Sequence, residues 1–187
     1  PALERAATLA RAFGARLTLA HALRTDELSV WRGLLGSGDA ALVTGLRREA
    51  EERLAALAAA LGPDLAVDAR VLDGQPAAAI PELAATSDVD LLVIGQRGAG
   101  AAPAMLLGST ASRLLRRSRH PVLLVRRPAG ADYAAPLVAV DFSPASEASL
   151  RLACTLAPRA RLTLVHAHEF PYEGKLHFAG IETAVIE

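Results

Sequence analysis

Apolar residues recur at Leu3, Ala6, Ala7, Ala10 and Phe13, the three- and four-residue spacing of one helix face, and Gly14 suits a helix stop. A helix over 2–13 is the expectation, followed by a short strand at Leu17–Ala22. Arg24–Asp39 gathers Gly33, Gly36 and Gly38 around Trp31 and reads as a loop. Ala41–Leu61 reads as a long helix. Leu42, Leu46, Leu54, Leu57 and Leu61 form its dry side, Arg47, Arg48, Glu49, Glu51, Glu52 and Arg53 its wet side, and Gly62-Pro63 its end. A strand at Leu65–Leu72 turns at Asp73-Gly74 into a helix over Pro76–Ala85 with proline in its first turn. Leu91–Ile94 is uniformly apolar, as a buried parallel strand would be. A glycine- and alanine-rich loop (Gly95–Leu107), a helix (Ser109–Arg117) and a last strand (Val122–Val125) complete the pattern. Alternating strands and helices imply an α/β fold with a parallel sheet and right-handed crossovers.

The chain also repeats itself. Residues 16–22, Arg-Leu-Thr-Leu-Ala-His-Ala, match 161–167, Arg-Leu-Thr-Leu-Val-His-Ala, at six of seven positions, 145 residues apart. Upstream, Pro1-Ala2-Leu3-Glu4 corresponds in type to Pro144-Ala145-Ser146-Glu147. Two matches in the same order argue for a duplicated unit. The later copy opens with Leu137-Val138-Ala139-Val140-Asp141-Phe142-Ser143, and the earlier copy has no counterpart ahead of Pro1. The expected organisation is a unit over 1–127 lacking its first strand, a linker over 128–136, and the start of a second unit over 137–187. On this reading the chain is a piece of a longer tandem protein.

Composition narrows the function classes. Twenty Lys and Arg balance twenty Asp and Glu, without the basic surplus that nucleic acid or an acidic membrane calls for. Aromatic residues at 4% do not suggest base-stacking platforms. One cysteine, Cys154, cannot make an internal disulfide, which favours a reducing, cytoplasmic setting. No apolar run reaches the roughly 18 residues of a spanning helix.

Gly95, Gly98 and Gly108-Ser109 form the spacing G-x2-G-x9-G-[S/T] between a strand and a helix. Two readings stand. Glycines at positive φ, with a helix N-terminus and the hydroxyls of Ser109 and Thr110, could cradle a phosphate. Alternatively, Gly95 and Gly98 only turn the chain and Ser109 only caps a helix. Context adds to this: Asp-Leu-Leu-Val-Ile-Gly-Gln-Arg-Gly from Asp90, Leu-Leu-Gly-Ser-Thr-Ala from Leu106, and His-Pro-Val-Leu-Leu-Val-Arg from His120. With Leu-Thr-Leu-Ala-His-Ala and Val140-Asp141-Phe142-Ser143, the chain resembles the universal stress protein family, in its tandem, ATP-binding form.

That resemblance implies an open, five-stranded parallel sheet of order 3-2-1-4-5 with helices on both faces. It implies ATP as a regulatory ligand, optionally with Mg2+, and little or no hydrolysis. Gly95, Gly98, Gly108, Ser109 and Thr110 would hold phosphates and ribose, Ile94 would border the nucleotide, and Ala22 would meet the adenine. Ala167 and Asp141 would face adenine in the second copy. The first copy has the cradle without the acid and the second the acid without the cradle. Val122–Val125 would pair across a homodimer or an intrachain pseudo-dimer. The alternative function is a nucleotide-silent dimerisation or partner-binding module of the same fold.

Other candidates are weaker. Arg97 could reach a phosphate or lie in solvent. His21 and His166 recur at strand ends, in packing or in ligand contact. His168, Glu169 and His177 lack a second cluster to make a metal site. Cys154 falls on an apolar helix side and reads as core. Asp141 and Ser143 have no histidine nearby in sequence for a triad. Arg116, Arg117 and Arg119 read as a solvated helix end opposing the dipole. Trp31 fits a lid or a partner contact equally. No catalytic residue and no metal site are expected.

Overall fold

The computed structural model describes residues 1–25, 39–96, 107–128 and 132–168. It divides into two compact units, Pro1–Gly130 and Ala131–Glu187. Trp31, Arg97, Gly98, Glu169 and His177 lie outside the described residues.

The first unit runs α1 (Ala2–Phe13), β1 (Leu17–Leu23), α2 (Asp39–Ala60), β2 (Val67–Asp73), α3 (Pro76–Thr86), β3 (Leu92–Gly95), α4 (Ser109–Arg117) and β4 (Val122–Val125). The alternation is the α/β order that the pattern implied. β1 and β2 pair in parallel from Leu17↔Val67 to Leu23↔Asp73. β3 and β4 pair in parallel from Leu92↔Val122 to Gly95↔Val125. The strands pair two by two among the described residues, so the five-strand order remains an expectation. α1 packs on β1 and also on β3 and β4, while α2 and α3 cover β1 and β2, and α3 meets α4.

Small residues build the core. Ala7 and Ala10 of α1 close on Leu65, with Leu17, Leu61 and Val67 around them. Ala84 of α3 and Ala111 and Leu114 of α4 are buried, where alanine lets two helices approach closely. β3 is half-buried throughout, not the fully buried strand expected, because among the described residues β4 alone pairs with it. α2 also differs from its pattern. Ala50 and Leu54 are buried, but Leu42 and Leu57 are 43% and 46% exposed. Arg47, expected on the wet side, is half-buried and pairs with Asp73 at the end of β2. Arg53 and Glu49 pair at 2.7 Å in solvent, as a wet face should.

A polar clamp closes the corner between α2 and β2. Arg11 of α1 donates to Asp64 Oδ2 at 2.6 Å and to the Leu61 carbonyl. The hydrogen bond from Arg11 holds the Asp64 carboxyl below the usual range. Between them Gly62 takes φ +92, which ends α2 and which side chains rarely adopt.

The second unit holds β5 (Leu137–Ala139), α5 (Pro144–Leu156) and β6 (Thr163–Val165). β5 and β6 pair in parallel, with Val138 opposite Leu164. α5 packs on β5 and buries none of its residues. Cys154 is therefore exposed, which corrects its reading as core: no described element covers its side of α5.

Candidate functional site

The expected site residues of the first unit stand at the carboxyl ends of parallel strands. Ala22 lies opposite Leu72 near the end of β1. Ile94 and Gly95 close β3 opposite Leu124 and Val125. The pairing runs one residue further, from Gln96 N–H to the Val125 carbonyl at 3.0 Å. Gly108 N–H then donates to the Gln96 carbonyl at 2.9 Å. One hydrogen bond thus brings the start of α4 against the end of β3, although eleven residues, 97–107, intervene. Gly95, Gly108, Ser109 and Thr110 come together here; Gly98 lies outside the described residues.

The backbone at this junction corrects one expectation. Gly108 has φ −64 and ψ 149, extended geometry open to any residue. Gly95 is a strand residue and is not among those at positive φ. Neither glycine is required for its dihedrals. The first bond inside α4 runs from Ser112 N–H to the Gly108 carbonyl. The N–H groups of Ser109, Thr110 and Ala111 therefore lie at the open helix end. Ser109 and Thr110 are exposed. The first turn of α4 carries no acid, and Arg116 and Arg117 occupy the last turn. The positive end of the dipole is thus not neutralised by a carboxylate in its first turn, an arrangement that favours an anion.

In the second unit, Asp141 Oδ1 accepts from Ser143 N–H at 3.0 Å and from the Ser143 hydroxyl. Ser143 Oγ in turn accepts from Ser146 N–H and caps α5. The Ser143 hydroxyl, then its N–H, then the Ser146 hydroxyl bring the Asp141 carboxyl down to about 2. Asp141 is therefore a fixed, ionised anchor for the start of α5. His166 Nδ1 lies 2.7 Å from the Val140 carbonyl oxygen, and its ring stands 4.7 Å from that of Phe142. Phe142 is 81% exposed and takes φ 61. The sequence reading passed over this Phe142–His166 pair; the signal available was an aromatic residue directly after the strand-end Asp141. Ala167 follows on the exposed side. His21 at the matching position of the first unit is exposed. Among the described residues no three of His, Cys, Asp or Glu gather to hold a metal, and no helix is long and apolar enough to cross a membrane.

Comparison with known proteins gives a consistent result. Residues 1–126 match the model of the universal stress protein family. A universal stress protein of Mycobacterium tuberculosis is 34% identical over 143 residues, covering 74% of this chain and 44% of the relative. The chain thus spans less than half the length of that relative. A universal stress protein of Thermus aquaticus is 37% identical over 121 residues, covering 63% of this chain and 82% of the relative. The solved structure of hypothetical protein MJ0577 superimposes with a TM-score of 0.56 at 23% identity, covering 68% of this chain and 89% of its own, which speaks to the fold alone.

Proposed function

This chain belongs to the universal stress protein family, and from that premise we propose that it binds ATP as a regulatory ligand in stress response. Gly95, Gly98, Gly108, Ser109 and Thr110 hold the phosphates and ribose, and Ile94 and Ala22 border the base. Asp141 and Ala167 play the adenine-facing part in the second of two repeats, which follow the 1–127, 128–136 and 137–187 division. The single observation that carries this reading is the Gly108–Gln96 hydrogen bond, which sets the open, acid-free end of α4 against the end of β3. Mg2+ would accompany the phosphates, held by their oxygens and by water.

Hydrolysis is slow or absent on this reading. Asp90 precedes β3, at the end of the strand away from Gly95, so no acid among the described residues of this junction is placed to activate water. Calorimetry with ATP on the chain and on Gly108→Val tests the proposal. Unchanged affinity in the variant would overturn it.

A second reading, a partner-binding module that ignores nucleotide, is favoured by one observation. β4 pairs only with β3 among the described residues, and its sequence Val122-Leu123-Leu124-Val125 carries no charge to discourage a further strand. An association through β4, within the polypeptide or between copies, is compatible with either reading.

A further inference from the structure

We propose that the outer face of α4 is a docking surface for a short acidic helix of a partner protein, held by Arg113, Arg116, Arg117 and Arg119. The span 107–128 holds six arginines and no Asp or Glu, in a chain whose formal net charge is zero. Arg113, Arg116 and Arg117 stand at i, i+3 and i+4, so they share one side of the helix, and all three are exposed. Ala111 and Leu114 are buried on the other side. Arg119, just past the helix end, is exposed as well. Elsewhere in this unit arginines are matched: Arg11 pairs with Asp64, Arg47 with Asp73, Arg48 with Glu52, Arg53 with Glu49 and Arg70 with Asp68. Among the described residues no carboxylate meets the four arginines of this surface, whose one side-chain bond runs from Arg116 to Ser112 Oγ at 2.7 Å. The helix dipole does not account for them. The carboxyl end of a helix carries about half a negative charge, felt within the last turn, and Arg116 and Arg117 already exceed it there.

Charge and spacing select the occupant. A guanidinium fork matches a carboxylate with two parallel bonds. Arg113 and Arg117 lie about 6 Å apart along the axis, the spacing of carboxylates on successive turns of a second helix. Leu115 is exposed beside the arginines and offers one apolar contact. Nucleic acid fits less well, since 107–128 holds no Phe, Tyr or Trp for a base to stack on. A long polyanion would also run on to the exposed acids around the surface: Glu82 of α3, which packs on α4, and Asp88 and Asp90 ahead of β3. Asp90 and Arg119 share one end of the β3–β4 pair, because Leu92 N–H donates to the Pro121 carbonyl. These acids confine the positive surface to one short segment. A membrane would need an apolar face to bury, and one leucine does not supply it. The nucleotide reading rests on Ser109 and Thr110 in the first turn of α4, so the two proposals use different residues.

The test uses the 187-residue chain without nucleotide, which keeps it independent of the ATP proposal. The probe is a labelled, alanine-based helical peptide of about 14 residues with glutamates at i, i+4 and i+7 and one leucine beside them. Fluorescence anisotropy should give a Kd of about 100 μM or below at low salt, weakened severalfold at about 0.15 M salt. Arg113→Glu combined with Arg117→Glu should weaken binding by at least about tenfold. Arg159→Glu combined with Arg161→Glu makes the same change in net charge on exposed arginines of the second unit, and should leave binding within about twofold. On the unaltered chain, amide shifts caused by the peptide should centre on 113–119, a readout that needs no variant to fold. The proposal is overturned by no binding at millimolar peptide, by equal losses in the two double variants, or by equal binding of a peptide with Gln for every Glu. Shifts centred elsewhere overturn it too, as does tighter binding of an oligothymidylate or a phosphatidylserine vesicle than of the peptide.

Discussion

At Gly108 the backbone accepts any side chain, yet the position is buried and its N–H is committed to Gln96. A valine there brings no dihedral strain, so Gly108→Val reports on space at the helix end. The expected outcome is at least about tenfold weaker ATP binding by calorimetry, the equivalent of losing one hydrogen bond to a charged group. Asp141 gives a second residue-scale test. Its carboxyl falls from the ordinary 3.8 to about 2. A depressed acid contributes stability that is fully present above its unfolded value and lost as pH falls through its folded one. The start of α5 should therefore loosen between about pH 4 and pH 2, and Asp141→Asn should flatten that response, both followed by NMR of Ser143 and Ser146 amides. The sequence made Asp141 conspicuous at a strand end, but not its bonds to Ser143 and Ser146, which depend on the turn that Phe142 makes at φ 61.

Helix α2 shows how far periodicity reaches. Its length and its stop at Gly62 follow from the pattern, because a long run of helix formers before Gly-Pro has few other solutions. Its dry face does not follow. Five leucines were expected inside, but β1 and β2 cover only a narrow stripe through Leu46, Ala50 and Leu54. Counting leucines overestimates the face because alanine serves as well where a helix lies close to a sheet. Leu54→Ala should cost about 2–4 kcal/mol in urea unfolding, and Leu57→Ala under about 1 kcal/mol. Equal costs would show that the stripe is misplaced.

For the molecule as a whole, the α/β order was legible, because it is written in spacing. Continuity of the sheet was not, since strand pairing joins residues far apart and depends on which neighbours are present. The pairing of β1 with β2 and of β3 with β4 leaves the outer side of β4 open among the described residues. Leu124 sits mid-strand there and is half-buried. Leu124→Lys places a charge in an apolar ladder and should shift any self-association toward the monomer in light scattering, by about tenfold in Kd or more. An unchanged molar mass across a dilution series of the variant would count against association through β4.

The clamp at the α2–β2 corner constrains which sequences the protein can drift through. A Cβ on Gly62 would lie 2.8 Å from Asp64 Oδ1, whereas one on Gly14 (φ +59) would meet nothing within 4 Å. Gly14→Ala should therefore cost only its left-handed backbone, about 1–2 kcal/mol. Gly62→Ala must in addition push Asp64 away from Arg11. Positions 62 and 64 are thus epistatic: once Asp64→Ala has removed the obstructing carboxylate, Gly62→Ala should cost less than it does beside Asp64, keeping only the backbone cost of φ +92. A double-mutant cycle in thermal unfolding, with Gly14→Ala as the additive control, reads that coupling directly.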